Sequence, residues 1–360
     1  GADNAAKGAW PAQSPRLCRR FSPSAAPVRL APSEPLTRRM AFSPERMKAD
    51  VLRLASVEME GRGLGSAGLD QAADYLAGRL QEAGLKPWSA NSYFQEWRAE
   101  LSSGPGLVAL KNVIGILPGS DPGLAGEWVL VSAHYDHLGL GWPDARPGAQ
   151  GRIHPGADDN ASGVSALLAL AETFGRGALP RGLIFAAFTG EEAGRLGSKR
   201  FVKENAGSPL RVVAMVNLDT VGRLGGRRLV ALGTGSAREW SRLVEEAGNA
   251  AGQPAAAVAE DPGGSDQVSF AEAGIPAVQL FAGPHEDYHR PSDTPEKLDY
   301  PGLSRIAALT RELLGRLASG PGLTPTGSGA IGKDPRAARK VSLGAIPDFS
   351  FGGEGTRLSG

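Results

Sequence analysis

Cysteine is almost missing from this chain of 360 residues: Cys18 stands alone. No intramolecular disulfide is possible, which fits a reducing compartment and equally a disulfide-free exported protein. Long apolar runs are missing too, and none reaches the roughly 18–20 residues that a membrane span needs. Nor is there an excess of charge. The 39 basic and 38 acidic residues leave a formal net charge of +1, which argues against a general nucleic-acid or acidic-membrane surface. No Gly-x-Ser-x-Gly elbow stands at a strand-to-helix turn, so a serine hydrolase has no support. Gly61-Arg62-Gly63-Leu64-Gly65 follows a helix and lacks the Lys-Ser/Thr ending of a phosphate loop. It reads as a plain loop.

What is present is ordinary for a globular chain: 41% hydrophobic and 21% charged residues, enough for one large core or two modest ones. Residues 1–42 are rich in Pro, Ala, Ser and Arg without apolar periodicity, and read as a disordered or linker tail. Gly1 is not a Met, and no apolar segment precedes Arg16-Leu17-Cys18 as a lipoprotein site would require. A leader already removed and a start within a longer protein both stay open.

Order is expected from Ser43-Pro44, an N-cap followed by Pro at the first helical position. Met47, Val51, Leu54 and Val57 then recur at helical spacing, as do Leu69, Ala73, Leu76 and Leu80 before the stop at Gly84. Strands are predicted over 93–101, 107–117, 128–133, 183–188, 212–218, 228–232 and 277–281, with helices over 161–174, 199–204, 237–250 and 303–317. This alternation predicts an α/β fold: a three-layer sandwich with a mixed, largely parallel central sheet covered on both faces. The domain should run over 43–319, followed by a linker over 320–339.

Candidate chemistry gathers where such sheets bind ligands, beyond the carboxyl ends of strands. His134 and Asp136 follow one predicted strand, Glu191 and Glu192 a second, and Asp219 a third. Asp159 opens a helix, and His289 lies in the loop after the strand ending at Phe281. Imidazole and carboxylate without thiolate suit zinc, with cobalt or manganese as possible substitutes. Five such ligands serve two metals that share one bridging carboxylate, about 3.5–4 Å apart. Neighbouring residues on a turn point in different directions, so one member of the Glu191-Glu192 pair can face a metal while the other serves as a base.

The motifs His134-Tyr-Asp136-His-Leu-Gly, Gly156-Ala-Asp-Asp159-Asn-Ala-Ser-Gly163, Thr189-Gly-Glu191-Glu192-Ala-Gly, Asn217-Leu-Asp219 and Tyr288-His289-Arg-Pro-Ser-Asp293-Thr carry a family resemblance. Together, and in this order, they resemble the di-zinc aminopeptidases of metallopeptidase family 28. The resemblance implies the zinc-exopeptidase fold and removal of N-terminal residues from peptide substrates, with two zinc ions per chain. It implies that His134 and Asp219 hold one zinc, Glu192 and His289 the other, and that Asp159 bridges them. Glu191 would be the general base, taking a proton from the attacking water and passing it to the leaving amine. Asp136 would orient His134, and Tyr288 matches a position that in some relatives polarises the scissile carbonyl. His137 and His285 are read as structural or pocket-lining residues and His154 as a loop residue. Gln267 stands where many relatives carry His, which bears on pocket shape and not on metal binding.

Three rivals remain on the same fold: a dipeptidase or carboxypeptidase, a single-zinc glutaminyl cyclase, and a non-catalytic receptor-like homologue. The resemblance also implies an extracytoplasmic location, periplasmic or secreted. From Lys340 to Gly360 the chain looks like the start of a PDZ-like module, which if completed would take a peptide-tail partner.

Overall fold

The protein is described here by a computed structural model covering residues 42–89, 91–101 and 106–327. Residues 1–41 of the tail expected over 1–42, most of the linker and the PDZ-like segment from Lys340 lie outside the described residues. Helix α1 (Pro44–Leu54) starts as its sequence dictates: Ser43 Oγ accepts the Arg46 amide hydrogen at 3.2 Å. Ser66 repeats the device for α2 (Ala67–Glu82), accepting from the Leu69 amide at 3.1 Å. Met47, Val51 and Leu54 on α1, and Leu69, Ala73, Leu76 and Leu80 on α2, are all buried. The helical spacing of these residues therefore marks the faces that pack inward, whereas Val57, expected in the first stripe, lies beyond the end of α1 and is exposed.

The chain then builds one nine-stranded sheet from β1 (Lys86–Pro87), β2 (Phe94–Glu100), β3 (Leu107–Leu117), β4 (Glu127–His134), β5 (Gly182–Phe188), β6 (Arg211–Leu218), β7 (Leu229–Leu232), β8 (Ala255–Val258) and β9 (Ala277–Phe281). The strand order is β1-β3-β5-β4-β6-β9-β7-β8, with β2 paired to β3. The centre is parallel, β5 to β4 to β6 to β9, while β3 and β7 run antiparallel to their neighbours β5 and β9. The mixed, centrally parallel α/β sheet thus agrees with the expected class.

Near-continuous apolar strands are what a sheet covered on both faces requires. Val129 and Val131 of β4, with Leu183, Phe185 and Ala187 of β5, join the core under α1, α2, α3 (Gly163–Phe174), α5 (Trp240–Ala251) and α7 (Tyr300–Ser319). The alternate residues Leu130, Ile184, Ala186 and Phe188 pack on the opposite face against Phe201 of α4 (Leu196–Asn205) and Phe270 of α6 (Gln267–Glu272). Three layers result. Each such large apolar side chain contributes about 1.5–3 kcal/mol by leaving water.

Topology fixes where a site can form. From β4 the chain passes through α3 to β5 on one side, then from β5 through α4 to β6 on the other. The order reverses at β4, so the loops beyond its carboxyl end part and leave a crevice. The register makes the rim level: His134 pairs with Phe188, and Ser132 with Asn217. Among the described residues, no helix is long and apolar enough to cross a membrane.

Candidate metal centre

His134 closes β4, and its ring is fixed by the backbone two residues on. The ring's Nδ1 lies 3.1 Å from the backbone oxygen of Asp136. A carbonyl can only accept, so Nδ1 carries a proton, and in the neutral ring Nε2 is left with the lone pair. That Nε2 faces Asp159 Oδ1 at 3.2 Å and Asp219 Oδ1 at 3.6 Å. His289 is set in the same way, with Nδ1 3.1 Å from the carbonyl of Asp144. Its Nε2 faces Asp159 Oδ2 at 3.2 Å and Glu192 Oε2 at 3.3 Å. Asp159 therefore stands between the two histidines and turns one oxygen to each.

These separations carry a test. Two ligands held about 2.0–2.1 Å from a tetrahedral ion lie roughly 3.3 Å apart. The four Nε2–oxygen distances fall around that value. His289 Nε2 is also buried and makes no hydrogen bond among the described residues, despite two carboxylate oxygens beside it. A buried imidazole nitrogen facing two carboxylate oxygens needs positive charge between them, as a proton or a metal ion. The donor set of imidazole and carboxylate fits zinc.

The supporting bonds come from several elements. Asp159 and Asp158 donate their amide hydrogens to Asp293 Oδ2 at 3.1 and 2.9 Å, and Arg223 holds Asp293 Oδ1 at 2.9 Å. Asn160 ties the same segment to the end of β6: its Nδ2 donates to the Leu218 carbonyl at 2.9 Å. Gly156 has φ of 58°, and a Cβ there would lie 2.3 Å from the Asp159 carbonyl and 2.5 Å from the His137 ring. Only glycine fits that turn. Asp219 accepts from Thr220 Oγ1 at 2.9 Å.

The Glu191-Glu192 turn hangs on Asp136, whose two carboxylate oxygens accept the amide hydrogens of Glu191 and Glu192 at 3.2 and 3.3 Å. The resemblance has Asp136 orienting His134 through that carboxylate. Its carboxylate oxygen is 3.8 Å from the ring nitrogen, and the closer contact is its carbonyl. His137, read as structural or pocket-lining, lies inside the cluster, with Nδ1 2.9 Å from Glu192 Oε1. That bond occupies one oxygen of Glu192 and leaves the other facing His289. Glu191 is almost wholly buried, with a carboxylate oxygen within 4.8 Å of ligand atoms of His134 and Glu192. Tyr288 stacks its ring on His289, centroids 3.9 Å apart.

Electrostatics follow from crowding charges away from water. Burial opposes a charge on His134, but Asp219, Asp159 and Glu191 outweigh it and lift its pKa well above the usual value. His289 is raised likewise against burial by Tyr288 and Glu192. Burial favours neutral carboxyls, yet the histidines hold Asp159 well below the usual range, and Glu192 is also lowered. Asp136 goes the other way, pushed up to about 7 by burial against the pull of His134. The pocket is one in which anionic ligands require positive partners.

Residues 112–314, more than half of the chain, match Peptidase family M28. The chain belongs to that family. Similar proteins include a probable zinc metalloprotease of Pyrenophora teres f. teres, 31% identical over 163 residues, spanning 43% of this chain and 33% of the relative. Leucine aminopeptidase 1 of Trichophyton rubrum is 31% identical over 191 residues, 51% of this chain and 47% of its own length. This M28 chain thus spans half or less of the length of these curated relatives. Among solved structures, Porphyromonas gingivalis glutaminyl cyclase shares the fold, with a TM-score of 0.62 at 22% identity over 76% of this chain and 98% of that one.

One part of the M28 site has no legible signal in the sequence, and a second has a signal for the residue but not for its contact. Arg62, in the Gly-rich loop, is fully buried, and among the described residues its side chain bonds to backbone oxygens. Asp293 belongs to a quoted motif, but its contact with the Asp159 amide depends on folding. Gln267 is fully buried, donating to Gln279 at 3.1 Å and accepting from Asn217 at 3.2 Å. It backs the end of β6. His285 Nε2 lies 3.1 Å from Asp158 Oδ2, and His154 Nδ1 bonds the Arg152 carbonyl at 2.9 Å.

Proposed function

We propose that this M28 chain is an aminopeptidase that removes N-terminal residues from peptides and holds two zinc ions. The observation that carries the reading is Asp159, with one oxygen 3.2 Å from His134 Nε2 and the other 3.2 Å from His289 Nε2. A carboxylate so shared suits a bridging ligand, with Asp219 completing one position and Glu192 the other. Bound there, a zinc pair would lower the pKa of water towards neutrality and polarise the scissile carbonyl oxygen.

Glu191 then supplies the basic carboxylate beside the pair. It accepts a proton from the attacking water and returns it to the departing amine. Asp136 fixes the direction of that carboxylate by holding both turn amides, and the near absence of solvent around Glu191 keeps the transferred proton from leaking away. Tyr288, stacked on His289, lies at the rim and is the residue proposed to polarise the scissile carbonyl.

The substrate class is tested by the amine. Zinc-loaded protein should cleave aminoacyl amides or anilides with a free α-amino group, and should lose this with a chelator. N-acetylated forms of the same compounds should be cleaved at least tenfold more slowly. Cyclisation of N-terminal glutamine without peptide cleavage would instead support the single-zinc cyclase reading. Failure on every aminoacyl substrate with zinc restored would support the receptor-like one.

A further inference from the structure

A buried guanidinium stands behind the centre. Arg62 is completely buried, at a φ of 50° within a loop whose sequence reads as plain. Its four hydrogen bonds all end on backbone carbonyls from three separate segments. Nε donates to Tyr135 at 2.8 Å, Nη1 to Leu54 at 2.6 Å and Pro155 at 2.8 Å, and Nη2 to Gly156 at 2.8 Å. Tyr135 lies between His134 and Asp136, and Gly156 precedes Asp159 by three residues. The loop's backbone returns the grip: the Arg62 carbonyl accepts from the His137 amide at 3.1 Å, and the Gly61 carbonyl from Gly139 at 3.0 Å. Space there is tight, since a Cβ on Gly61 would lie 2.5 Å from the His154 carbonyl.

We propose that Arg62 is a positioning residue for the metal centre, locking the His134–His137 and Pro155–Asp159 segments into one frame and backing the ligand carboxylates with a fixed positive charge. The proposal rests on the reading of this cluster as a metal centre. A guanidinium suits the task because its planar fork offers five donors at set angles, whereas an ammonium offers three from a single point. A carbonyl ring without it would turn partial negative charges towards a site already crowded with carboxylates. Asp159, Asp136, Asp293 and Glu192 all favour the charged form of Arg62, against a burial that lowers its pKa to about 10.

The test compares two buried arginines by zinc titration against a chromogenic chelator, on the full chain. Arg62→Lys keeps the charge but cannot span the three segments, and should weaken zinc binding by about 10- to 100-fold, the usual effect of losing a partner behind a ligand. Arg79→Lys is the control. Arg79 bonds Asp50, Tyr75 and Glu172, joining α1, α2 and α3 without touching a ligand segment. It should lower the Tm and leave zinc affinity unchanged. Equal zinc affinity in wild type and R62K, with only a lower Tm, overturns the positioning role. Hydrogen exchange of the wild type covers the case in which R62K does not fold. Zinc should slow exchange at the His137 and Gly139 amides, which donate to the loop, and unchanged rates there overturn the proposal. A wild type that takes up no zinc overturns the metal centre itself, a failure distinct from that of Arg62.

Discussion

Glu191→Gln is expected to lower kcat by about 10²- to 10⁴-fold, the range that general acid–base catalysis contributes, with both zinc ions still bound. The side chain keeps its size, and the turn is held through backbone amides that the substitution leaves alone. What is lost is the capacity to accept a proton. Glu192→Gln should behave in the opposite order, because Glu192 Oε2 faces His289 at 3.3 Å and its other oxygen is taken by His137 at 2.9 Å. Metal content should fall first and activity with it. The comparison matters because Glu191 also lies close enough to His134 and Glu192 to offer an oxygen to a metal. Zinc loss in Glu191→Gln, with zinc retained in Glu192→Gln, would exchange the two roles.

Asp159→Ala should be the more damaging change, since it withdraws one oxygen from each of two positions. The expected result is loss of zinc from both and a fall in kcat/KM of about 10³-fold or more, several kcal/mol of transition-state stabilisation. The fold should persist, because the neighbouring amides of Asp158 and Asp159 remain bonded to Asp293. Zinc is expected to raise the Tm of the wild type, a mass-action effect of binding to the native state, and this rise should vanish in the variant. A variant that retains one tightly held zinc would mean that Asp159 serves a single position.

How much of this was legible in the sequence depends on the kind of signal each feature leaves. Strand β3 begins and ends at the predicted residues, and β5 within one, because long apolar runs between turn residues have few alternative readings. Strand β8 was missed: Ala-Ala-Ala-Val has no alternation, and its place in the sheet comes from pairing with β7. Helix α7 starts at Tyr300 and not Leu303, since Asp299 Oδ1 caps the Gly302 amide at 2.9 Å, upstream of the apolar stripe. Helix α6 is only six residues long, too short to leave a period.

At the site the same division holds. His134, Asp159, Glu191, Glu192, Asp219 and His289 could be named because their residue types and places after strands carry chemical meaning, and folding brings them together. Arg62 could not, since its partners are carbonyl oxygens, which every residue has. Asp136 shows an intermediate case: the residue was found, but the turn amides it holds are visible only once β4 and β5 lie side by side.

The most direct test of the two-metal centre is the zinc content of purified wild-type protein, titrated to saturation and measured by elemental analysis. Two zinc ions per chain are predicted, both removed by chelator, with activity returning as they are restored. Saturation at one zinc per chain, with full activity at that point, would contradict the shared role of Asp159.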